Sequence, residues 1–328
     1  VTPEGTPGLV SVIVASYNHA RFLPRRMESL LQQTYDNLEI LVIDDCSTDN
    51  SLEVLRRYEQ HPKVRLVVRE QNGGWVTVSN QGIDTSSGEF VIFANCDDDC
   101  DPRMIERLVT GLNDHQTAGI CFCRSLLIDE RDAVLMDDYA GREPAFRERC
   151  ANDTLISGNE MTHFLLGSCV IPNLSAALFR RSVFARSGQL SADYRVVCDW
   201  DLFFRVVEFY DVFYVAEALN RFRQHDTTIR SSTKERVIYE EILRLLLGQL
   251  KLHRVGAAAR SRFRTRIMLL WAEHLMGPST TGLRNFRYHL GRVAAYDLAA
   301  LPFLVPALLL RSGDLARKLI RRRSWAKR

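Results

Sequence analysis

Several signatures are missing from this chain, and each absence removes a class of function. No G-x-x-x-x-G-K-[ST] occurs in its 328 residues, which weighs against a P-loop nucleotidase. No G-x-G-x-x-G follows the first apolar run, which weighs against a dinucleotide oxidoreductase. The eight cysteines form no C-x-x-C pair. Cys121 and Cys123 alternate with Ile120 and Phe122 as in a strand, where cysteine behaves as a small hydrophobe. Reduced thiols and a cytosolic protein are therefore expected. No charged-then-apolar signal peptide opens the sequence, and no uninterrupted apolar run reaches the roughly 18 residues that spanning a membrane requires. Internal repeats and low-complexity tracts are absent. Net charge is only +3, too small to imply a nucleic-acid partner.

What is present is ordinary globular material, 46% hydrophobic and 25% charged, long enough for one large α/β domain with an appendage. After a leader, "VTPEGTPG" (1–8), four short apolar runs recur: "LVSVIVAS" (9–16), "LEILVID" (38–44), "KVRLVVRE" (63–70) and "EFVIFAN" (89–95). Their near-continuous Val/Ile content suits parallel strands buried on both faces. Helical patterns separate them. "RFLPRRMESLLQQ" predicts an apolar face of Phe22, Met27, Leu30 and Leu31, and Asn50 with Glu53 reads as a helix N-cap signal. Such alternation predicts a doubly wound, mostly parallel sheet with helices on both faces. From about 118 the pattern is less regular, with strands "AGICFCRSLLID" and "LSAALFR", a helix "DWDLFFRVVEFY", and strand-like "VFYV" and "ALNRFRQH". After about 231 it is helical to the end.

In an open parallel sheet, ligands bind beyond the carboxyl ends of the strands. The four runs end in "SYNHA", "DDCSTDN", "QNGGW" and "NCDDD", so polar and acidic side chains gather at one edge. Ser16, Asn18, Ser47, Asp49 and Asn72 also read individually as turn or cap residues. Asp101 before Pro102 reads as an N-cap with proline at the first helical position. Neither reading accounts for Asp97, Asp98 and Asp99, three adjacent like charges. Hard divalent cations prefer carboxylate oxygens and commonly bridge them to substrate phosphates, so a Mg²⁺ or Mn²⁺ holding a diphosphate is the expectation.

Six segments in order carry a resemblance: "VSVIVASYN", "LEILVIDDCSTDNS", "NGGWVTVSNQGI", "SGEFVIFANCDDDCDPRMIERL", "SAALFRRSVFARSGQL" and "CDWDLFFRV". Over about residues 9–230 the chain resembles the inverting GT-A glycosyltransferases of family 2, of the bacterial surface-glycan type. That resemblance implies a nucleotide-sugar-binding half (9–118) and an acceptor-binding half (119–230), and the helical pattern beyond them reads as a basic C-terminal extension (231–328). It also implies that Ser16, Tyr17 and Asn18 lie by the nucleotide, with Tyr17 against the base. Asp45 would bond the pyrimidine ring with Asp44 beside it, and Asn72 would lie in the same pocket. Residues 95–97 match the family's D-x-D, so Asp97 would ligate the cation and Asn95 would approach the ribose or a metal-bound water. Asp98 would be accessory, and His225 would match a metal or diphosphate ligand of some members. Asp199 matches the general base, although it also reads as a first-turn residue favoured by the helix dipole, with Asp201 its competitor.

Three positions depart from the family pattern: Asn95 for the first acid of D-x-D, Ser79 for a common arginine, and Cys198 for the acid before the base. They support a rival reading, a catalytically weak or inactive relative that binds nucleotide sugar or glycan as an assembly partner. A sugar nucleotidyltransferase is a second rival, but its Gly-rich loop is missing, with "ASYNHA" in its place. The resemblance implies a UDP-sugar donor and a glycan or polyprenyl-linked acceptor. "LAALPFLVPALLL", broken by Pro302 and Pro306, followed by "ARKLIRRRSWAKR", reads either as an interfacial anchor on an anionic leaflet or as a packed helix with a solvated basic end.

Overall fold

The computed structural model describes residues 4–226, 228–253, 255–276 and 286–311. Two compact units divide the chain: residues up to 193 together with 198–228, and residues 194–197 together with those from 229 onward.

The first unit begins with β1 (Thr6–Ser16), α1 (Leu23–Leu31), β2 (Leu38–Asp44), α2 (Ser51–Arg56), β3 (Val64–Val68), α3 (Trp75–Thr85) and β4 (Gly88–Phe93). It continues with β5 (Asp99–Cys100), α4 (Met104–Asp114), β6 (Ala118–Ile128), β7 (Val134–Asp137), α5 (Pro144–Arg149), β8 (Thr154–Ile156) and α6 (Gly158–Gly167). It closes with β9 (Ala177–Arg180), α7 (Ser182–Ser187), α8 (Cys198–Val207) and β10 (Asp211–Arg223). One sheet runs β3-β2-β1-β4-β9-β6-β10-β5, with β7 on β6 and β8 on β10.

The apolar runs become strands buried on both faces because residues alternate sides. Val10, Val12 and Val14 of β1 join the core with Leu23, Met27 and Leu30 of α1, while Leu41 and Ile43 of β2 meet Val78 of α3 on the other face. The α3 helix lies so close to β1 that a Cβ on Gly82 would stand 2.3 Å from Ile13 Cγ2. A larger residue there would push the helix off the sheet.

Strand direction places the site. The pairs β1–β2, β2–β3 and β1–β4 are parallel. β9 runs antiparallel to both β4 and β6, and β6 is parallel to β10. It follows that β3, β2, β1, β4, β6 and β10 all point the same way. Their carboxyl ends share one edge, so residues 224–226 after β10 emerge beside the loops after β1 and β4.

Several local expectations need correction. Asn50 occupies the N-cap of α2 without a side-chain bond. The cap is made by Asp49, whose Oδ1 accepts from Ser51 N at 2.9 Å, and Glu53 pairs with Arg57 at the surface. The buried face of α1 includes Leu23 and a fully buried Arg26, while Leu31 is only half-buried. Asp101 does accept from Arg103 N at 2.9 Å, but Pro102 and Arg103 form a turn and α4 starts at Met104. "VFYV" and "ALNRFR" lie in one 13-residue strand, kept continuous by register shifts against β6, and Gln224 and His225 follow its end. The cysteines stand as thiols rather than disulfides, and Cys121 and Cys123 are fully buried.

The second unit is helical: α9 (Ile229–Ser232), α10 (Glu235–Leu252), α11 (Ala257–Leu275) and α12 (Phe286–Asp297). Leu243, Leu246, Leu247 and Leu250 of α10 are buried, as are Ile267, Met268 and Trp271 of α11. Glu241 of α10 accepts from the N–H groups of Arg195 and Val196 at 2.9 and 2.8 Å, which ties residues 194–197 to this unit. Pro302 and Pro306 do not break the last helix as expected. A 3-10 turn at Leu298–Ala300 leads into a helical stretch 301–311. By length and composition Arg287–Arg311 could cross a membrane, its best window having a mean hydropathy of 1.9 with 28% buried. Residues 312–328, which carry most of the basic tail, lie outside the described residues.

Candidate active site

The acidic stretch is tolerated because its three carboxylates have three different environments. Asp99, almost fully buried, is paired with Arg25 at 2.9 Å and Arg221 at 3.0 Å. Burial alone would raise its titration, but the hydrogen bond from Arg221 and the charge of Arg25 outweigh it and hold it below the usual range. Asp98 is buried among amides: Asn173 Nδ2 donates at 2.8 Å, Arg223 N at 2.9 Å and Asn95 Nδ2 at 3.2 Å. Burial, reinforced by the charge of Asp97, pushes Asp98 up to about 7. Near neutral pH it therefore carries a proton part of the time, which removes part of the repulsion.

Asp97 keeps its charge. Burial opposes ionisation, but the hydrogen bond from His225 and the nearby imidazole of His19 prevail and hold its carboxyl below the usual range. His225 Nε2 lies 2.8 Å from Asp97 Oδ2. The His225 ring is buried and packs on Phe22, with centroids 4.9 Å apart. Phe22 also lies under the guanidinium of Arg223, 5.1 Å away, and Arg223 Nε donates to the Asp97 carbonyl at 2.7 Å. His19 joins from the loop after β1. The ligand atoms of His19, Asp97 and His225 all lie within 4.8 Å of one another.

The loops after β1, β2 and β3 are tied together. Asn18 adopts positive φ (57°), as does Cys46 (63°), a conformation that costs a non-glycine residue of order 1 kcal/mol. In return Asn18 Oδ1 accepts from Thr48 N at 2.8 Å and Asn18 N donates to Ser47 Oγ at 3.0 Å. Asp44 accepts from Ser47 N and Oγ at 2.9 and 2.6 Å, a turn-forming role. Asp45 receives Gly73 N at 2.9 Å, Gly74 N at 2.8 Å and Arg69 Nε at 3.0 Å. A carboxylate has about four acceptor positions, so one remains for a ligand N–H. Gly74 makes its bond with φ 81°, which glycine adopts without steric cost. Asn72 Nδ2 donates to the Asp45 carbonyl at 3.3 Å. Tyr17 is 42% exposed, and the Ser16 hydroxyl is buried without a hydrogen-bond partner among the described residues.

Asp199 stands in the first turn of α8, half-buried, with Oδ1 accepting from Trp200 N at 2.7 Å. Its competitor Asp201 is turned inward, 8% exposed, and paired with Arg205 at 2.9 Å. Of the three departing positions, Ser79 and Cys198 are buried, and Asn95 is bonded to Asp98 as described above. Asp97, His225 and Asn95 are thus brought together, and the Ser16–Asn18, Asp44–Asp45 and Asn72 loops form a second linked group.

Sequence reasoning missed His19, Arg69, Asn173, Arg223 and Asn220. Asn220 Nδ2 donates to Asn173 Oδ1 at 3.2 Å, extending the buried amide chain beneath Asp98. His19 had a signal, since it sits directly after the Ser16–Asn18 stretch at the end of a strand. The others had none, because only long-range pairing brings them in.

The glycosyl transferase family 2 profile matches residues 11–187, just over half of the chain. The chain belongs to that family. A glycosyltransferase of Nostoc sp. (strain PCC 7120), alr2836, is 31% identical over 175 residues, covering 53% of this chain and 51% of the relative, so the match spans about half of that protein. Among solved structures, residues 1–349 of TarS from S. aureus, in complex with UDP-GlcNAc, superpose with a TM-score of 0.66 at 16% identity, over 92% of this chain and 83% of that TarS fragment. The mannosyltransferase PcManGT from Pyrobaculum calidifontis, in complex with GDP-Man and Mn²⁺, gives 0.53 at 18% identity, over 97% and 83%. These likenesses agree on a GT-A fold.

Proposed function

We propose that this chain transfers a sugar from a nucleotide-sugar donor, a UDP-sugar, to a glycan or polyprenyl-linked glycan acceptor with inversion at the anomeric carbon. The observation that carries this reading is the meeting of Asp97 and His225, 2.8 Å apart and from segments distant in sequence, beside the nucleotide-side loops at the carboxyl edge of the sheet. Bound relatives of the same fold, with UDP-GlcNAc in one case and GDP-Man with Mn²⁺ in the other, support the donor class.

Asp97 and His225 suit a divalent cation, Mn²⁺ or Mg²⁺: their two facing atoms have the spacing of neighbouring ligands on an ion with bonds of about 2.1 Å. When bound, such a cation supplies stabilisation of the charge developing on the diphosphate. Tyr17 offers a face to the base, Asp45 an acceptor to a pyrimidine N–H, and Ser16 a hydroxyl. Asn18, Asp44 and Asn72 brace those loops. Asn95 turns toward the ribose, and Asp98 fixes Asn95 and the strand carrying His225. Asp199 accepts the proton of the acceptor hydroxyl as that oxygen attacks the anomeric carbon in line, and the nucleoside diphosphate leaves from the opposite face. The donor half is 9–118 and the acceptor half 119–230. The extension from 231 contacts the cytoplasmic face of the membrane, a reading favoured by the exposed Leu298, Val305, Leu309 and Leu310 and by the basic residues that follow in sequence.

Calorimetric titration of UDP, with GDP and dTDP alongside, tests this in Mn²⁺ and then in excess EDTA. Metal-dependent, UDP-selective binding that weakens in Asp97→Ala is expected. Equal binding in EDTA would overturn the metal role. Binding without turnover, unchanged by Asp199→Asn, would favour a nucleotide-sugar-binding partner without catalysis.

A further inference from the structure

We infer that His19 is a third protein ligand of the cation, so that the site presents two imidazole nitrogens and one carboxylate and selects Mn²⁺ over Mg²⁺. This rests on the metal reading of Asp97 and His225 given above. The three side chains come from the loop after β1, the loop after β4 and the segment after β10, and their ligand atoms lie within 4.8 Å of one another. Each ring is held. His19 Nδ1 is 2.6 Å from the Tyr17 carbonyl, which has only lone pairs to offer, so in the neutral ring Nδ1 is the N–H and Nε2 presents the lone pair. A backbone carbonyl of this kind is the usual partner that orients a ligating histidine. The His225 ring is clamped by Phe22, and the His19 and His225 rings meet edge to face with centroids 5.8 Å apart.

The donor set determines the preference. Mg²⁺ holds to oxygen ligands and gives up water reluctantly, whereas imidazole favours first-row transition ions, of which Mn²⁺ is the one that is also at home with carboxylate and water oxygens. The same geometry gives His19 a second consequence. Its loop contains Tyr17 and Asn18, and Asn18 is bonded to the loop after β2, so an ion on His19 Nε2 would also restrain the loop expected to hold the base.

The test uses the full chain without nucleotide. Loss of the free Mn²⁺ electron paramagnetic resonance signal gives the affinity, and Mg²⁺ competition gives the selectivity. Pulsed measurements of ¹⁴N coupling count the imidazoles on bound Mn²⁺. Wild type should show two coupled nitrogens and a clear preference for Mn²⁺. His19→Gln should show one, with Mn²⁺ affinity down by about tenfold to a hundredfold and Mg²⁺ affinity little changed. Two coupled nitrogens persisting in His19→Gln, with unchanged affinity, would overturn the inference. His19→Ala, read by the same coupling, guards against a glutamine oxygen replacing the lost ligand. Asp97→Ala separates the layers: if it abolishes Mn²⁺ binding while both His19 variants keep two coupled nitrogens and the wild-type affinity, only the role of His19 fails, and if it leaves Mn²⁺ binding intact, the metal reading itself fails.

Discussion

The two edges of the central sheet use similar residues for different purposes. At the edge where the parallel strands begin, Glu39 accepts from Ser11, Ser87 and Gly88, and Arg181 donates to the carbonyls of Gly88 and Ile83 and to the Ser86 hydroxyl. Every partner is supplied by the protein, and the arrangement is closed. At the edge where those strands end, Asp97 is held by imidazoles that can themselves bind a cation, Asp45 retains an acceptor position, and the loops contain non-glycine residues at positive φ. A carboxylate surrounded by backbone N–H groups and hydroxyls stabilises the fold. One facing histidines, with strained loops around it, is the arrangement that the proposed cation site calls for.

The comparison can be broken at either edge. The largest expected effect belongs to Asp199→Asn, which should lower transfer by roughly 10²- to 10⁴-fold while leaving UDP affinity and thermal stability near wild type. Steady-state kinetics with a donor screen, alongside UDP titration, would check it, and unchanged transfer would remove Asp199 as base. Asp97→Ala comes next: Mn²⁺-dependent UDP affinity should fall by about tenfold or more, with little loss of stability because no closed network depends on it. The opposite edge should behave in reverse. Arg181→Ala should cost about 2–4 kcal/mol of stability, since it strands buried carbonyls that lose their donors, yet leave UDP affinity per folded molecule intact. Urea denaturation and titration on the same samples would separate the two edges.

Asp99→Asn should cost less, about 1 kcal/mol, because Arg25 and Arg221 are partly solvated and recover water when the charge is removed. Acid provides the mildest test. Burial opposes the charge of Glu39, but the bonds from Ser11, Ser87 and Gly88 hold its titration below the usual range. Its contribution is therefore fully present above the unfolded value of about 4.3 and is lost as pH falls through the lower folded value. Glu39→Gln should lower stability at neutral pH and flatten that acid limb, and a parallel acid limb in the two proteins would contradict the assignment.

Much of this was legible from patterning. The strand 38–44 and the helix carrying Asp199 follow from runs whose period and turn chemistry leave few alternatives. Asp97 stood out because three adjacent carboxylates require an explanation. His19 follows the Ser16–Asn18 stretch in sequence, but its neighbour His225 arrives only through β10. Asn173, Asn220 and Arg223 could not be found from sequence, because each acts through a partner many residues away. The prolines at 302 and 306 misled, since their local tendency to end a helix was overridden by a 3-10 turn and the buried Ala300, Leu304 and Ala307 around them.

The sequence by itself therefore determined the main strands and helices of the parallel half of the sheet, the polar edge at their carboxyl ends and the family. Those properties are local or periodic, and a short window of side chains suffices to specify them. Only the tertiary structure decided how the acidic stretch divides its labour, with one carboxylate ion-paired, one buried and partly protonated, and one facing two histidines. Charge and proton affinity depend on what surrounds a group in space, and here that surrounding comes from strands β4 and β10 and the loop after β1, which only the closed sheet brings together.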